Sequence, residues 1–400
     1  GGDPTGGKMK ELDTQSILGV YAKPDTHFVR GSGCWLEDVT GRRYLDFYSG
    51  IAVMALGHSD PEVVKAIQEQ AEHYTHISNL FINEPQVKLA QQLLQATGFD
   101  KVFFCNSGTE ANEAQIKFAR KYWAVKGEAR SEIISFSSSF HGRTYGGLSV
   151  TGQPKLKNGF GEMLTHCTTA QWNDPKALLA AVSKKTAAIL LEPVQGEGGI
   201  NSASPEFVDA VHEARRRTGA LVMVDDIQCG LGRLGTFLGA EAVGLLPDLL
   251  SLAKPLGGGL PLGAVLLREA VAETMKPGDH GSTFGGNPVA CAAGSVVVRR
   301  ILSDKFLEEV KRKGELIRSG LRFLSEKYPV LGEVRGMGLL NGVEVVGKEV
   351  APLLHSLRNN GLLAIRAGTS VLRLAPPLVV SDEEISLALQ IIDRTIAEAK

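Results

Sequence analysis

The chain has 400 residues, with 43 Lys and Arg against 44 Asp and Glu, a formal net charge of −1 and 43% hydrophobic residues. That balance carries no basic field of the kind that holds nucleic acid or another polyanion, and the length suffices for one large domain with a smaller companion. No apolar run approaches the roughly 18 residues that a membrane span requires. The five cysteines, Cys34, Cys105, Cys167, Cys229 and Cys291, are dispersed without a CxxC pair. They read as reduced thiols of an intracellular protein and argue against a disulfide framework or a zinc site. The glycine-rich start without a Met reads as a processed end or an expression remnant, so a targeting peptide is not visible.

In chain order, a short helical pattern occupies 9–21. Residues 28–48 alternate apolar and polar, with turns at Gly31-Ser32-Gly33 and Thr40-Gly41, and predict short antiparallel strands. From 61 to 97 the pattern is helical. Six short apolar runs then alternate with helical patterns: 102–105, 133–136, 187–191, 221–224, 249–252 and 264–267. Most are apolar on both faces, as a sheet covered by helices requires, so an α/β domain with a mostly parallel sheet is expected. From Asn287 helical patterns dominate, including 306–328, with strands expected at 338–345 and 371–374. A last helix over 381–399 has Ser381 as N-cap and Glu384 in capping-box position. The expected organisation is an N-terminal segment, 1–60, belonging to a small domain; a large α/β domain, 61–299; and a small C-terminal α+β domain, 300–400. The two terminal pieces belong together because both carry short strands that need partners.

In such a sheet ligands bind at the carboxyl ends of the strands. Five of the six runs end there in polar or charged residues: Asn106-Ser107-Gly108-Thr109-Glu110, Ser137 to Arg143, Glu192 to Glu197, Asp225-Asp226-Ile227-Gln228, and Lys254. Lys254 follows an apolar strand and precedes Gly257-Gly258-Gly259. Burial lowers an amine's pKa and makes it a nucleophile able to form a Schiff base; the alternative is a lysine snorkelling to solvent. Ser107-Gly108-Thr109 starts a helix, where backbone N–H groups favour a phosphate, although a plain N-cap reads the same. Asp225 needs a cation or donors, met by a protonated ring nitrogen or by a structural ion pair. It lies 29 residues before Lys254, about one βαβ unit, so the two fit neighbouring strand ends.

Phe140 is a candidate for stacking on a flat ring, or simply core. Arg143 and Arg373 are candidate carboxylate forks, and Glu197 is a candidate partner for Arg373. His58, His76 and His141 lack metal-ligand spacing and are read as structural, so no metal is expected. Gly230-Leu231-Gly232-Arg233-Leu234-Gly235 fits GxGxxG, but it neither follows a strand directly nor has an acid about twenty residues on. A nicotinamide-dependent reading therefore stays the weaker rival.

A lysine, a strand-end aspartate, a phosphate-type helix start and two arginines suggest pyridoxal phosphate. The motifs Ser49-Gly50-Ile51-Ala52-Val53, Asn106-Ser107-Gly108-Thr109-Glu110-Ala111-Asn112-Glu113, Phe140-His141-Gly142-Arg143-Thr144, Glu192-Pro193-Val194-Gln195-Gly196-Glu197-Gly198-Gly199, Ala253-Lys254-Pro255 and Gly281-Ser282-Thr283-Phe284-Gly285-Gly286-Asn287-Pro288 resemble the class III, fold type I pyridoxal-phosphate aminotransferases. The likeness is strongest to the acetylornithine-using members of plant and algal type, and it runs from about residue 15 to the end. It implies a large mostly parallel-sheet domain with a smaller α+β domain, and a Schiff base between cofactor and Lys254. It further implies that Asp225 holds the pyridine nitrogen, that Asp226 belongs to the same cofactor motif, and that Gln228 contacts the ring hydroxyl. Ile227 and Phe140 sandwich the ring, and Ser107, Gly108 and Thr109 hold the phosphate. Thr283 reaches the partner subunit's phosphate, which implies a homodimer with shared sites. Arg143 and Ser282 contact N-acetylornithine, Arg373 takes the α-carboxylate of glutamate or 2-oxoglutarate, and Glu197 pairs with Arg373. Sister activities on ornithine or 4-aminobutyrate are the nearest alternatives. A plant or algal source implies a plastid or mitochondrial matrix; any other source implies the cytoplasm. Asp226 stands where the family usually has Glu, Met54 where it has Asn, and Ile82 where it has Tyr. Ile51 stands where the ornithine enzymes align a Tyr, which favours the acetylated substrate.

Overall fold

The computed structural model describes residues 7–399. The glycine-rich start up to residue 6 lies outside the described residues. The central sheet has seven strands: β1 (Lys101–Cys105), β2 (Glu132–Phe136), β3 (Cys167–Ala170), β4 (Thr186–Leu191), β5 (Leu221–Asp225), β6 (Leu249–Leu252) and β7 (Gly263–Leu267). Their order is β1-β7-β6-β5-β4-β2-β3, and only β7 runs antiparallel to its neighbours. Every residue of β4, β5, β6 and β7 is buried, as the two-sided apolar runs require. All six expected runs are strands. The edge strand β3 was missed because Cys167-Thr168-Thr169-Ala170 carries no apolar run; an edge position exposes it to water on one side.

Helices pack on both faces of this sheet. Several start with a polar cap followed by proline, which presets φ and needs no N–H partner. Asp60 before Pro61, Ser204 before Pro205 and Asn287 before Pro288 each accept hydrogen bonds from first-turn amides. The last helix, Asp382–Glu398, has the expected capping box between Ser381 and Glu384. The helical pattern read over 61–97 is two helices, Pro61–His73 and Glu84–Thr97. The break is held from outside: Asn79 donates to the carbonyls of Ser282 and Gly285, and Asn83 to that of Gly286. The first helix is Gly7–Ser16, shorter than expected; it buries no residue, so nothing packs against a longer one.

The expected antiparallel strands are Phe28–Ser32, Trp35–Asp38 and Arg43–Asp46. Leu362–Leu363 adds to them in parallel at Leu45 and Asp46. A second small sheet joins Leu331–Met337, Leu340–Val345, Val371–Leu374 and Ile365–Ala367. The strand expected at 338–345 thus begins at Leu340, because Gly338, with φ of +55°, turns the chain out of the preceding strand. Cys34, Leu45, Phe47 and Ala55 share one core with Val310, Ile317, Leu357 and Leu372. The Gly230–Gly235 triplet opens no helix. The buried Arg233 guanidinium donates to the carbonyls of Leu339 and Pro376, which joins this loop to the C-terminal sheet and leaves the nicotinamide reading without a site.

Candidate active site

The strand ends meet at a cavity of about 440 Å³. Asn106, Ser107, Gly108 and Thr109 line it from the end of β1, Phe140 to Arg143 from β2, Glu192 and Glu197 from β4. Asp225, Ile227 and Gln228 line it from β5, Lys254 from β6, and Val53 from the N-terminal segment. The rim predicted from the sequence is one place.

Lys254 begins a short 3₁₀ turn at φ of +25°, an uncommon backbone for a residue with a side chain. Burial lowers its amine to about 8, against the opposing pull of Glu197. Asp225 is buried, and its Oδ2 meets His141 Nδ1 at 2.7 Å and accepts from Asn112 Nδ2 at 2.9 Å. Its Oδ1 accepts the Ile227 N–H at 3.0 Å. Neither His141 nor Asn112 was assigned a role from the sequence, because His141 was tested only for metal spacing. The available signal was its place inside the strand-end stretch after β2. Glu192, also missed, accepts the Phe140 N–H at 3.3 Å. Burial first, and then the neighbouring Asp225 carboxylate, raise its carboxyl well above the usual range.

Asp226 does not reach the cavity. Successive strand residues point to opposite faces, so Asp226 faces away from Asp225 and its Oδ2 accepts the Gly239 N–H at 2.8 Å. It is fully buried, and burial raises its carboxyl to about 8. The expected place among the cofactor residues is corrected accordingly: Asp226 ties down the loop behind the site. Ser282 and Thr283 also lie outside this cavity. They line an adjacent one with Ser78, Asn79 and Leu80, and only Ser282 touches the site's edge, where its Oγ accepts from Asn106 Nδ2 at 3.2 Å. Thr283 is exposed.

Ser107 N-caps the helix α1 (Gly108–Val125), accepting the Glu110 N–H at 3.2 Å. Gly108 and Thr109 thus present the first amides of an 18-residue helix to the cavity. The glycines around it are required by close approach. A Cβ on Gly108 would sit 2.8 Å from Ile227 Cδ1, and one on Gly142, whose φ is +124°, 2.1 Å from Thr109 Oγ1.

At the far end, behind the lining residues Glu197 and Gln228, Arg373 is 1% exposed and does not itself line the cavity. Its Nη2 meets Glu197 Oε1 at 3.0 Å, and its Nη1 donates to Gln228 Oε1 at 2.8 Å. The guanidinium and Lys254 hold the Glu197 carboxyl below its usual value despite burial. Arg143 is exposed at the mouth, its guanidinium 5.8 Å from the centre of the Phe140 ring.

The donor set suits a phosphorylated pyridine aldehyde. A helix start would hold its anion, a buried carboxylate anchored by His141 and Asn112 would hold a ring nitrogen, Phe140 and Ile227 would flank a flat ring, and a low-pKa amine would meet the aldehyde. No group of three or more His, Cys, Asp or Glu suited to a metal occurs among the described residues.

Comparison with known proteins agrees with this chemistry. The family "Aminotransferase class-III" matches residues 20–396. The acetylornithine aminotransferase of Caldanaerobacter subterraneus subsp. tengcongensis is 46% identical over 393 residues, 98% of this chain and 100% of that protein. Among solved structures, the ornithine aminotransferase of Toxoplasma gondii superposes with a TM-score of 0.93 at 34% identity, covering 98% of this chain and 94% of that one. The N-acetylornithine aminotransferase of Stenotrophomonas maltophilia superposes with a TM-score of 0.84 at 35% identity, covering 97% and 98%.

Proposed function

The chain belongs to the class-III aminotransferases, and from that premise we propose that it moves the δ-amino group of N2-acetylornithine to 2-oxoglutarate, giving N-acetylglutamate 5-semialdehyde and glutamate. The observation that carries this reading is one cavity with a depressed-pKa lysine, a buried aspartate at one end and, at the other, Glu197 backed by the buried Arg373. Pyridoxal phosphate, when bound, supplies the electron sink that makes the carbon next to the transferred nitrogen acidic. Asp225, held in place by His141 and Asn112, would hold a proton at the ring nitrogen. Ser107, Gly108 and Thr109 orient the phosphate, while Ile227 and Phe140 fix the ring plane and Gln228 faces the ring hydroxyl. Lys254 Nζ would take the proton from the donor's reacting carbon and pass it to the cofactor within the same half-reaction, and would run the transfer in reverse onto the α-carbon of the second substrate.

Arg373 binds the α-carboxylate of glutamate or 2-oxoglutarate. Glu197 neutralises Arg373 while the acetylated donor is bound, and yields it to the second substrate. Arg143 and Ser282 contact the donor. In a homodimer Thr283 serves the neighbouring subunit's phosphate. The exposed Leu80 (88%), Phe81 (71%), Ile82 (88%) and Phe284 (59%) support a covered face near it. The division at residues 60/61 and 299/300 is part of the same proposal.

The test is the visible absorption of the purified holoprotein. A yellow band that bleaches with N-acetylornithine alone and returns with 2-oxoglutarate supports both half-reactions. A band that bleaches only with ornithine or 4-aminobutyrate moves the assignment to those donors. A protein that stays colourless with added pyridoxal phosphate overturns the reading.

A further inference from the structure

Residues Ser49, Gly50, Ile51 and Ala52 all have positive φ, at 54°, 62°, 69° and 62°. Together they form one left-handed turn, closed by the Ile51 and Ala52 amides on the Tyr48 carbonyl and by the Val53 and Met54 amides on that of Ser49. Three of the four are not glycine, and one is β-branched, so the chain does not favour this turn by itself. Something around it must impose it.

We propose that Asp46 and His58 are that restraint: a clamp that holds the turn 49–52 and so positions the cavity wall that the amino donor meets. The proposal rests on reading this cavity as the substrate site. Asp46 is 0% exposed. Its Oδ1 accepts the Tyr48 N–H at 2.9 Å and the Ser49 N–H at 2.8 Å, so the carboxylate fixes the entry of the turn. Its Oδ2 lies 2.7 Å from His58 Nε2. His58 is itself fixed, since its backbone exchanges two hydrogen bonds with Gly33, at 2.8 and 3.0 Å. The Asp46 carboxylate is therefore locked to a rigid strand end on one side and to the turn on the other.

The turn leads directly into the site. Ala52 packs with Val194, Val371 and Ala375, under the strand that carries Arg373. The amides of Ala375 and Leu378 donate to the carbonyls of Phe47 and Ala55, at 2.8 and 2.7 Å, bracketing the turn on that strand. Val53 lines the cavity. Met54 Sδ lies 3.2 Å from where a Cβ on Gly259 would stand, just beyond Lys254. A turn that relaxed toward negative φ would displace Val53 and Met54 relative to both Lys254 and Arg373. Asp46 and His58 are accordingly positioning residues; neither lines the cavity.

The test compares Asp46→Ala, which removes the acceptor of the Tyr48 and Ser49 amides, and His58→Gln with wild type in two readouts. Amide hydrogen exchange over 48–54, in holoprotein without substrate, reports the turn and needs no turnover. Steady-state kinetics report the wall. In both variants exchange is expected to speed up about tenfold, and KM for N-acetylornithine to rise about tenfold with kcat within about twofold. Ser49→Gly supplies the discriminating rescue, because glycine adopts positive φ without cost and the buried Ser49 Oγ has no partner to lose. In the Asp46→Ala background it is expected to restore both protection and KM to within about threefold of wild type. Unchanged protection in Asp46→Ala, or a loss that Ser49→Gly leaves untouched, overturns the clamp. Protection that falls and recovers while KM stays constant overturns its effect on the donor. Absence of turnover in the wild type, with the exchange pattern as expected, overturns the substrate reading and leaves the clamp standing.

Discussion

The two ends of the cavity hold charge in different ways. At the Asp225 end the carboxylate is buried, and all its partners are supplied from α1, the loop after β2 and its own strand end. At the Arg373 end a guanidinium from the C-terminal sheet meets a glutamate on a glycine-flanked loop, and that glutamate is 29% exposed against 1% for its partner. The first arrangement has nowhere to move, because releasing Asp225 would strand a buried charge. The second is hinged at the side chain only: its loop is packed, but the Glu197 carboxylate is partly exposed and can trade its arginine for water. The contrast teaches a division of labour: the fixed end suits a resident cofactor and the hinged end suits two substrates taken in turn.

The largest expected effect lies between the two ends. Lys254→Ala removes the proton carrier, and kcat should fall by about 10⁴, with cofactor still bound but without its shared yellow band; rapid-mixing absorbance checks this. Asp225→Asn attacks the fixed end. It should lower kcat by about 10²–10³ and cost about 1–3 kcal/mol of apoprotein stability in urea melts, because His141 and Asn112 share one buried acceptor oxygen that the amide replaces. A variant with unaltered stability would show that the Asp225 network is not structural.

Arg373→Lys attacks the hinged end. The bidentate fork becomes a point charge, so KM for 2-oxoglutarate should rise about 30- to 100-fold while stability changes little. Glu197→Gln sharpens the comparison further. The donor half-reaction should slow about tenfold while the 2-oxoglutarate half-reaction holds or quickens, since Arg373 is then permanently free. Equal effects on the two halves would remove the switch.

The smallest effect belongs to Asp226, behind the fixed end. Its carboxyl is held up near 8, against an ordinary value of 3.8. The folded chain therefore keeps a proton between those values that the unfolded chain has lost, and stability contributed by this group falls as pH rises from about 4 to 8. Asp226→Asn keeps the acceptor for the Gly239 amide. It should leave Tm nearly unchanged at or below about pH 4 and raise it by a few degrees at pH 9, in scanning calorimetry.

Much of this site was legible before any coordinates. The two-sided apolar runs named six of the seven central strands, and reading the residues after each run collected most of the cavity's lining. What stayed hidden has common physical causes. His141, Asn112 and Glu192 matter through burial next to Asp225, and burial is a property of neighbours distant in sequence: Asn112 and Asp225 are 113 residues apart. Asp226 was grouped with Asp225 because the two are adjacent, whereas the pleat sends them to opposite faces. Edge strand β3 had too little apolar surface to announce itself, and the break between the helices of 61–97 depends on carbonyls supplied from 282–286.

The sequence by itself determined the class of fold, the strand-end rim and the chemical types gathered there, because periodicity and apolar runs are local and strand direction follows from alternating helices. Only the tertiary structure decided which charges face one another. It set Glu197 against Arg373 across 176 residues, turned Asp226 away, put Thr283 outside its own chain's cavity, and bent Ser49 to Ala52 into a left-handed turn. The physical reason is the same in each case: an ion pair, a buried proton or a strained φ is fixed by what surrounds it, and those surroundings exist only once distant segments have packed.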